Sequence, residues 1–163
     1  MLFRSGDTLK LPEYRLAKGA LRVPGVDGQK MSKSYGNTIG LFEAEGAMKK
    51  KIMGIVTDST PMGTPLDPET CTVFALHKLF PGEGLDELRE AYLAGTIGYG
   101  GSKKALLAKV LEALAPIRSR YEELKRDPSY VEDVLREGAV AARVVARRTM
   151  DACRLAAGFA DPV

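Results

Sequence analysis

Lys30-Met31-Ser32-Lys33-Ser34 sets two ammonium groups three residues apart, with hydroxyls beside them, in a stretch lacking any apolar periodicity. A lysine ammonium is a compact charge on a flexible stem, and it meets phosphate oxygens as a point charge. Serine hydroxyls and exposed backbone N–H groups add further donors. Gly25, Gly28 and Gly36 make the flanks pliable, and Pro24-Gly25 favours a turn. The chemistry suited to this pattern is the neutralisation of a nucleoside triphosphate as pyrophosphate leaves. Charge is needed most in that transition state, which is where mobile cations act best. A solvated Lys/Ser surface loop is the alternative, since motifs this short also arise by chance.

The elements around this loop divide into two kinds. The first 40 residues hold only short extended candidates, Leu9–Leu11 and Ala20–Val23, separated by Pro12, Pro24 and glycines. So much irregular chain reads as the tail of a larger unit. Helices follow. Glu43–Ile55 is expected to be helical, with Met48, Ile52 and Ile55 on one side and Lys49–Lys51 outside. Asp67-Pro68 supplies a cap and a first-turn proline for a helix to about Phe80. Pro81–Gly84 breaks the pattern before a short helix over Leu85–Ala94. The glycine-rich Gly95–Gly101 stretch connects to a long helix capped by Ser102, with Leu106, Val110, Leu114, Ile117, Tyr121 and Leu124 in one stripe. Pro116 is expected to kink or split that helix. Asp127-Pro128 opens a last helix running to about Gly158. The fold class expected is therefore mainly α: an irregular head over residues 1–42, then a bundle of about five helices over residues 43–163.

Composition narrows the function classes. No apolar run approaches the roughly 20 residues of a membrane span, and Met1-Leu-Phe-Arg-Ser-Gly-Asp is unlike a signal peptide. Cys71 and Cys153 lie far apart without metal-type spacing, which reads as two reduced thiols in a cytoplasmic protein. Net charge is only +3, but it is uneven: residues 1–50 carry 9 basic and 5 acidic side chains, residues 51–100 carry 3 and 7, and the remainder 12 and 9. Basic ends around an acidic middle suit an anionic partner.

Lys30-Met31-Ser32-Lys33-Ser34 is also the KMSKS signature of the class I aminoacyl-tRNA synthetases. The segments Val23–Ile39, Lys49–Ser59 and Ile97–Leu106 occur in that order as they do in bacterial tryptophanyl-tRNA synthetases, which this chain resembles from about Leu11 onward. The resemblance implies part of a tryptophan–tRNA ligase, an enzyme that activates tryptophan with ATP and transfers it to tRNA(Trp). It implies that Lys33 is the main stabiliser of the phosphates, that Lys30 assists it, and that Met31, Ser32 and Ser34 complete the nucleotide contacts. Leu21 falls where the family places an apolar backbone contact to adenine. Magnesium would arrive on the ATP phosphates, with no metal held by the protein. Residues 1–42 would be the last piece of a Rossmann-type catalytic domain, and residues 43–163 the helical domain on the anticodon side of the tRNA. A homodimer is implied for the complete enzyme.

The family's HIGH-like motif and amino-acid pocket have no counterpart here. The single histidine, His77, sits beside Leu76 and Leu79 in a helical stretch and reads as a core residue. The chain is thus expected to be a C-terminal portion, inactive alone. A stand-alone helical tRNA-binding or regulatory module derived from such an enzyme is the other reading. On the last helix, Arg136, Arg143, Arg147 and Arg154 are spaced by 7, 4 and 7 residues, which at ~100° per residue puts them in a stripe about 40° wide. Val134, Gly138, Ala141, Val145, Ala152 and Phe159 lie opposite and are expected to pack on the preceding helix. The arginines are candidate tRNA-phosphate contacts, with ion pairing to nearby carboxylates as the competing use.

Overall fold

A computed structural model describes residues 8–10, 12–15, 22–80 and 82–159. It is mainly helical. Residues 22–44 carry no α-helix and one isolated bridge, Pro24 with Lys30. Five α-helices follow: α1 (Glu45–Met53), α2 (Thr72–His77), α3 (Leu85–Leu93), α4 (Tyr99–Arg126) and α5 (Pro128–Ala156). The chain forms two compact units, one over Leu16–Arg120 and one made of Met1–Arg15 with Tyr121–Val163.

In the Leu16–Arg120 unit, α1 to α3 and the first part of α4 close one core. Met48 and Ile52 of α1 are fully buried one turn apart, and Glu45 at its start and Lys50 and Lys51 at its end complement the helix dipole. Short α2 buries Val73, Phe74, Leu76 and His77, so it lies in the middle of the packing and has no polar face. The Phe74 ring meets Tyr92 of α3 edge-on at 5.2 Å between centroids, with the Lys78 and Arg89 cations over it. α4 contributes Leu106, Val110 and Leu114, spaced four apart. Val23, Val26 and Ile39 pack onto this same core, so the loop's stems rest on the helices.

Two expected helix starts move because a polar side chain has another partner, and one expected break does not occur. Asp67 caps a turn instead of a helix: its carboxylate accepts from Glu69 N–H at 2.9 Å and Thr70 Oγ at 2.8 Å, and α2 starts only at Thr72. Ser102 does not cap α4, which begins three residues earlier. Its hydroxyl turns inward to Tyr92 at 2.6 Å and is fully buried. Pro116 does not split α4, because its position is exposed and water can take the freed carbonyl. The Pro81 end of one expected break, Leu11 of the Leu9–Leu11 candidate and Ala20–Leu21 of the Ala20–Val23 candidate lie outside the described residues.

The unit holding α5 is different. Asp127 accepts from Tyr130 N–H at 3.1 Å, so the expected cap is present, with Pro128 in the first turn. Among the described residues, however, α5 buries none of its side chains. Val134, Val145 and Phe159, expected to be packed, are 49%, 67% and 69% exposed. Tyr121 is likewise outside any core, with the Lys125 ammonium over its ring. Small residues at Gly138, Ala141 and Ala152 offer little apolar area to hold such a face down.

Candidate functional site

The lysine loop is a compact series of turns. Met31 N–H donates to Val23 C=O at 2.8 Å, Gly25 N–H to Gln29 C=O at 2.7 Å, and Gly28 N–H to Gly25 C=O at 3.0 Å. Gly28 takes a φ of 79°, in the left-handed region, which lets the chain reverse there. Ser32 then caps a short 3₁₀ turn, Lys33–Tyr35, by accepting from Ser34 N–H, and Gly36 ends the turn with a φ of 66°. Lys30, Lys33 and Ser34 are exposed, while Met31 and Ser32 are half-buried. The Met31 side chain lines an apolar cavity of about 170 Å³ together with Val23, Ile39, Leu76 and Leu106. The structure thus brings five of the six expected nucleotide-contact residues together. Leu21, the sixth, lies outside the described residues.

Asn37 closes the loop from beneath, and sequence reasoning missed it. Only 2% exposed, it donates from Nδ2 to Asp27 Oδ1 at 2.8 Å and to Lys30 C=O at 3.1 Å, and its Oδ1 accepts from Ser32 N–H at 2.8 Å. The Asn37 hydrogen bond, with a further one from Gln29 N–H, holds the exposed Asp27 carboxyl below its ordinary range. A Cβ at Gly25 would come within 2.3 Å of Asn37 Nδ2, so glycine is required there by packing. In the sequence, Asn37 is one more small polar residue beside a glycine, and nothing separates it from a solvated loop position.

Lysines also hold the loop's supports. Lys51, expected to point outward, donates to Thr38 C=O at 2.8 Å and pairs with Glu43 at 2.5 Å. That pairing, with Gly40 N–H donating to the same carboxylate, keeps Glu43 below the usual carboxyl range. Lys103 on α4 is buried and donates to Ile55 C=O at 2.7 Å and Met53 C=O at 3.2 Å, satisfying carbonyls at and just past the end of α1. Next to Ile55, Val56 N–H donates to Val26 C=O at 2.8 Å. The loop base is therefore tied through residues 55 and 56 to α4.

His77 is a core residue, as its sequence context suggested. It is fully buried, its Nε2 lies 3.1 Å from Ser102 C=O and donates to it, and Nδ1 has no hydrogen-bond partner among the described residues. Burial pushes its pKa below the ordinary imidazole value. On α5, Arg136, Arg143, Arg147 and Arg154 are all exposed. Arg136 pairs with Asp133 at 2.6 Å and Arg154 with Asp151 at 3.3 Å, both one turn back. Arg143 and Arg147 have no carboxylate partner among the described residues. No cluster of three or more His, Cys, Asp or Glu side chains suited to a metal occurs among those residues, and no helix among them is long and apolar enough to cross a membrane.

Comparison with known proteins gives these features a family context. Residues 3–115 match the family model of the class I tRNA synthetases for W and Y. The chain is 44% identical over 155 residues to the tryptophan–tRNA ligase of Rhodopirellula baltica, covering 94% of this chain and 48% of that protein. It is 44% identical over 138 residues to the Fusobacterium nucleatum tryptophan–tRNA ligase, covering 84% and 42%. The crystal structure of the Campylobacter jejuni tryptophanyl-tRNA synthetase, complexed with ADP and tryptophan, superimposes with a TM-score of 0.81 at 41% identity, covering 94% of this chain and 49% of that one. The chain spans about half the length of these relatives.

Proposed function

Because this chain belongs to the class I tRNA synthetases for tryptophan and tyrosine, we propose that it supplies the ATP-phosphate loop and the tRNA-binding helices of a tryptophan–tRNA ligase. Residues 1–42 then end the catalytic domain, and residues 43–163 form the domain on the anticodon side. The observation that carries the reading is the presentation of Lys30 and Lys33. Both are exposed, yet the backbone between them is fixed by hydrogen bonds from Met31 and to Asn37.

In this reading Lys33 approaches the triphosphate and stabilises the charge that collects on pyrophosphate as the tryptophan carboxylate attacks. Lys30 assists from the start of the same turn. Met31 anchors the loop in the apolar cavity while Ser32 holds the turn and Ser34 offers its hydroxyl. Leu21 meets adenine through its backbone. ATP carries magnesium on its own phosphates, tRNA(Trp) binds along the helices, and the complete enzyme is a cytoplasmic homodimer.

Two measurements test this. In the complete enzyme, Lys33→Ala should slow tryptophan-dependent ATP–pyrophosphate exchange by an amount equivalent to ~2.7–4 kcal/mol, typical for loss of one transition-state donor, with tryptophan affinity nearly unchanged. Equal losses in rate and tryptophan binding would instead assign the loop a folding role. The purified 163-residue chain should show no exchange activity, since a HIGH-like motif and an amino-acid pocket are not found in it; measurable exchange would refute the division of labour. The chain's half-length relative to its relatives keeps a second reading in view, a helical tRNA-binding module without catalysis. The coding sequence upstream of Met1 separates the two.

A further inference from the structure

We propose that Asn37 is the positioning residue of the lysine loop: its buried carboxamide sets the backbone from Lys30 to Ser32 and so decides where both lysines are delivered. The inference rests on the proposed role of Lys30 and Lys33 toward phosphate, but its structural half stands on the hydrogen bonds alone.

The amide orientation follows from its surroundings. The Asp27 carboxylate and the Lys30 carbonyl can only accept, so Nδ2 must face them, and the Ser32 N–H can only donate, so Oδ1 must face it. Both amide hydrogens and one oxygen lone pair are therefore used. The contacts fall on either side of Met31, whose own N–H is held by Val23. Backbone positions 30, 31 and 32 are fixed in succession. Ser32 in turn caps the Lys33–Tyr35 turn, so what Asn37 does to Ser32 is transmitted to Lys33.

No other side chain fits this position. Aspartate would lose both donors and set a second carboxylate against Asp27. Glutamine would need room for another methylene where the backbone of Gly25 already presses on the amide: a Cβ there would lie 2.4 Å from Asn37 Cγ. Alanine leaves Ser32 N–H and Lys30 C=O without their partner in a part-buried setting. Lysine side chains alone do not specify a loop geometry, because each stem has four rotatable bonds. A scaffold beneath them does, and misplacement by ~1 Å is enough to cost about a hundredfold in rate.

The test has two arms. In the 163-residue chain, Asn37→Ala should raise the exchange rate of the Ser32 amide about five- to tenfold, the worth of one ordinary hydrogen bond. It should also move the Asp27 carboxyl titration, followed by NMR, up toward its ordinary value, with α1–α4 amide protection unchanged. In the complete enzyme, Asn37→Ala should lower kcat for ATP–pyrophosphate exchange about 10- to 100-fold while leaving the KM for tryptophan within about twofold. Combining it with Lys33→Ala should cost little beyond Lys33→Ala alone. Exchanging the two groups, Asn37→Asp with Asp27→Asn, restores a donor–acceptor pair and should recover part of the rate that Asn37→Asp loses. An unaltered Ser32 amide in Asn37→Ala, in a protein that melts normally, would overturn the inference. If Lys33→Ala slows exchange and Asn37→Ala does not, Asn37 is not the positioning residue and the loop's role survives. If Lys33→Ala itself has no effect, the phosphate role of the loop falls, and the positioning role with it.

Discussion

The Leu16–Arg120 unit and α5 are both patterned with apolar stripes, yet they place those stripes in opposite environments. In the first, Met48, Ile52, Val73, Phe74, Tyr92 and Leu106 are all fully buried, and even Asn37, His77, Ser102 and Lys103 are drawn inside with hydrogen bonds. In the second, 29 helical residues leave every side chain accessible. Periodicity identifies a face; it does not say whether that face is covered. Large side chains from several elements converge in the first unit, whereas the α5 face is built mostly of Val, Ala and Gly on one helix.

The largest effect that separates the regions is on stability. Phe74→Ala removes a ring packed against Tyr92 and two cations, and should destabilise the chain by ~3–5 kcal/mol. Val145→Ala, at a position 67% exposed on the expected apolar face of α5, should change it by no more than ~0.5 kcal/mol. Urea unfolding of the two variants measures both. Comparable losses would mean that α5 is held as tightly as the core, and the contrast drawn between them would fail.

A smaller effect comes from the buried polar network. His77 has a folded-state pKa below its ordinary value of 6.5. The unfolded chain therefore takes up a proton at a pH where the folded chain does not, and stability falls as pH drops below about 6.5 until the folded-state value is reached. His77 is the sole histidine, so between pH 6.5 and 5 the trend has one dominant source. Melting temperature measured across that window should fall with acidity, and His77→Gln should flatten the slope even if it lowers the plateau. A slope that is unchanged in the variant would place the titrating group elsewhere.

How far the sequence could be read follows the same division. The type and order of the five helices were legible because Met48–Ile52 and Leu106–Val110–Leu114 repeat at helical spacing and Asp127-Pro128 is an unambiguous start. The lysine loop was legible because its charges stand apart from any periodic pattern. Its scaffold was not, because Asn37 and Lys103 look like solvent-facing residues until the fold brings Ser32 N–H and Ile55 C=O to them. The misplaced starts at Asp67 and Ser102 share this cause: each has a cap's side chain, and tertiary partners decided its use. Burial of α5 was inferred from its stripe alone, with no facing residues identified to cover it.

The smallest effect on stability, and the one most specific to partner binding, belongs to the arginine stripe. Arg136 and Arg154 already answer carboxylates one turn away, whereas Arg143 and Arg147 stand exposed without such partners among the described residues, so the middle of the stripe is where an anion would gain most. If tRNA phosphates bind there, affinity should fall with salt, each contact contributing ~0.7–0.9 to the slope of log K against log salt. Arg143→Gln with Arg147→Gln should then weaken binding and reduce that slope by about two contacts' worth, to a similar degree for cognate and non-cognate tRNA, since phosphate contacts position without specifying. The melting temperature should barely move, because neither side chain is buried. Unchanged affinity and slope in the double variant would make the stripe an ordinary solvated face and direct the search for the tRNA surface to the helices of the other unit.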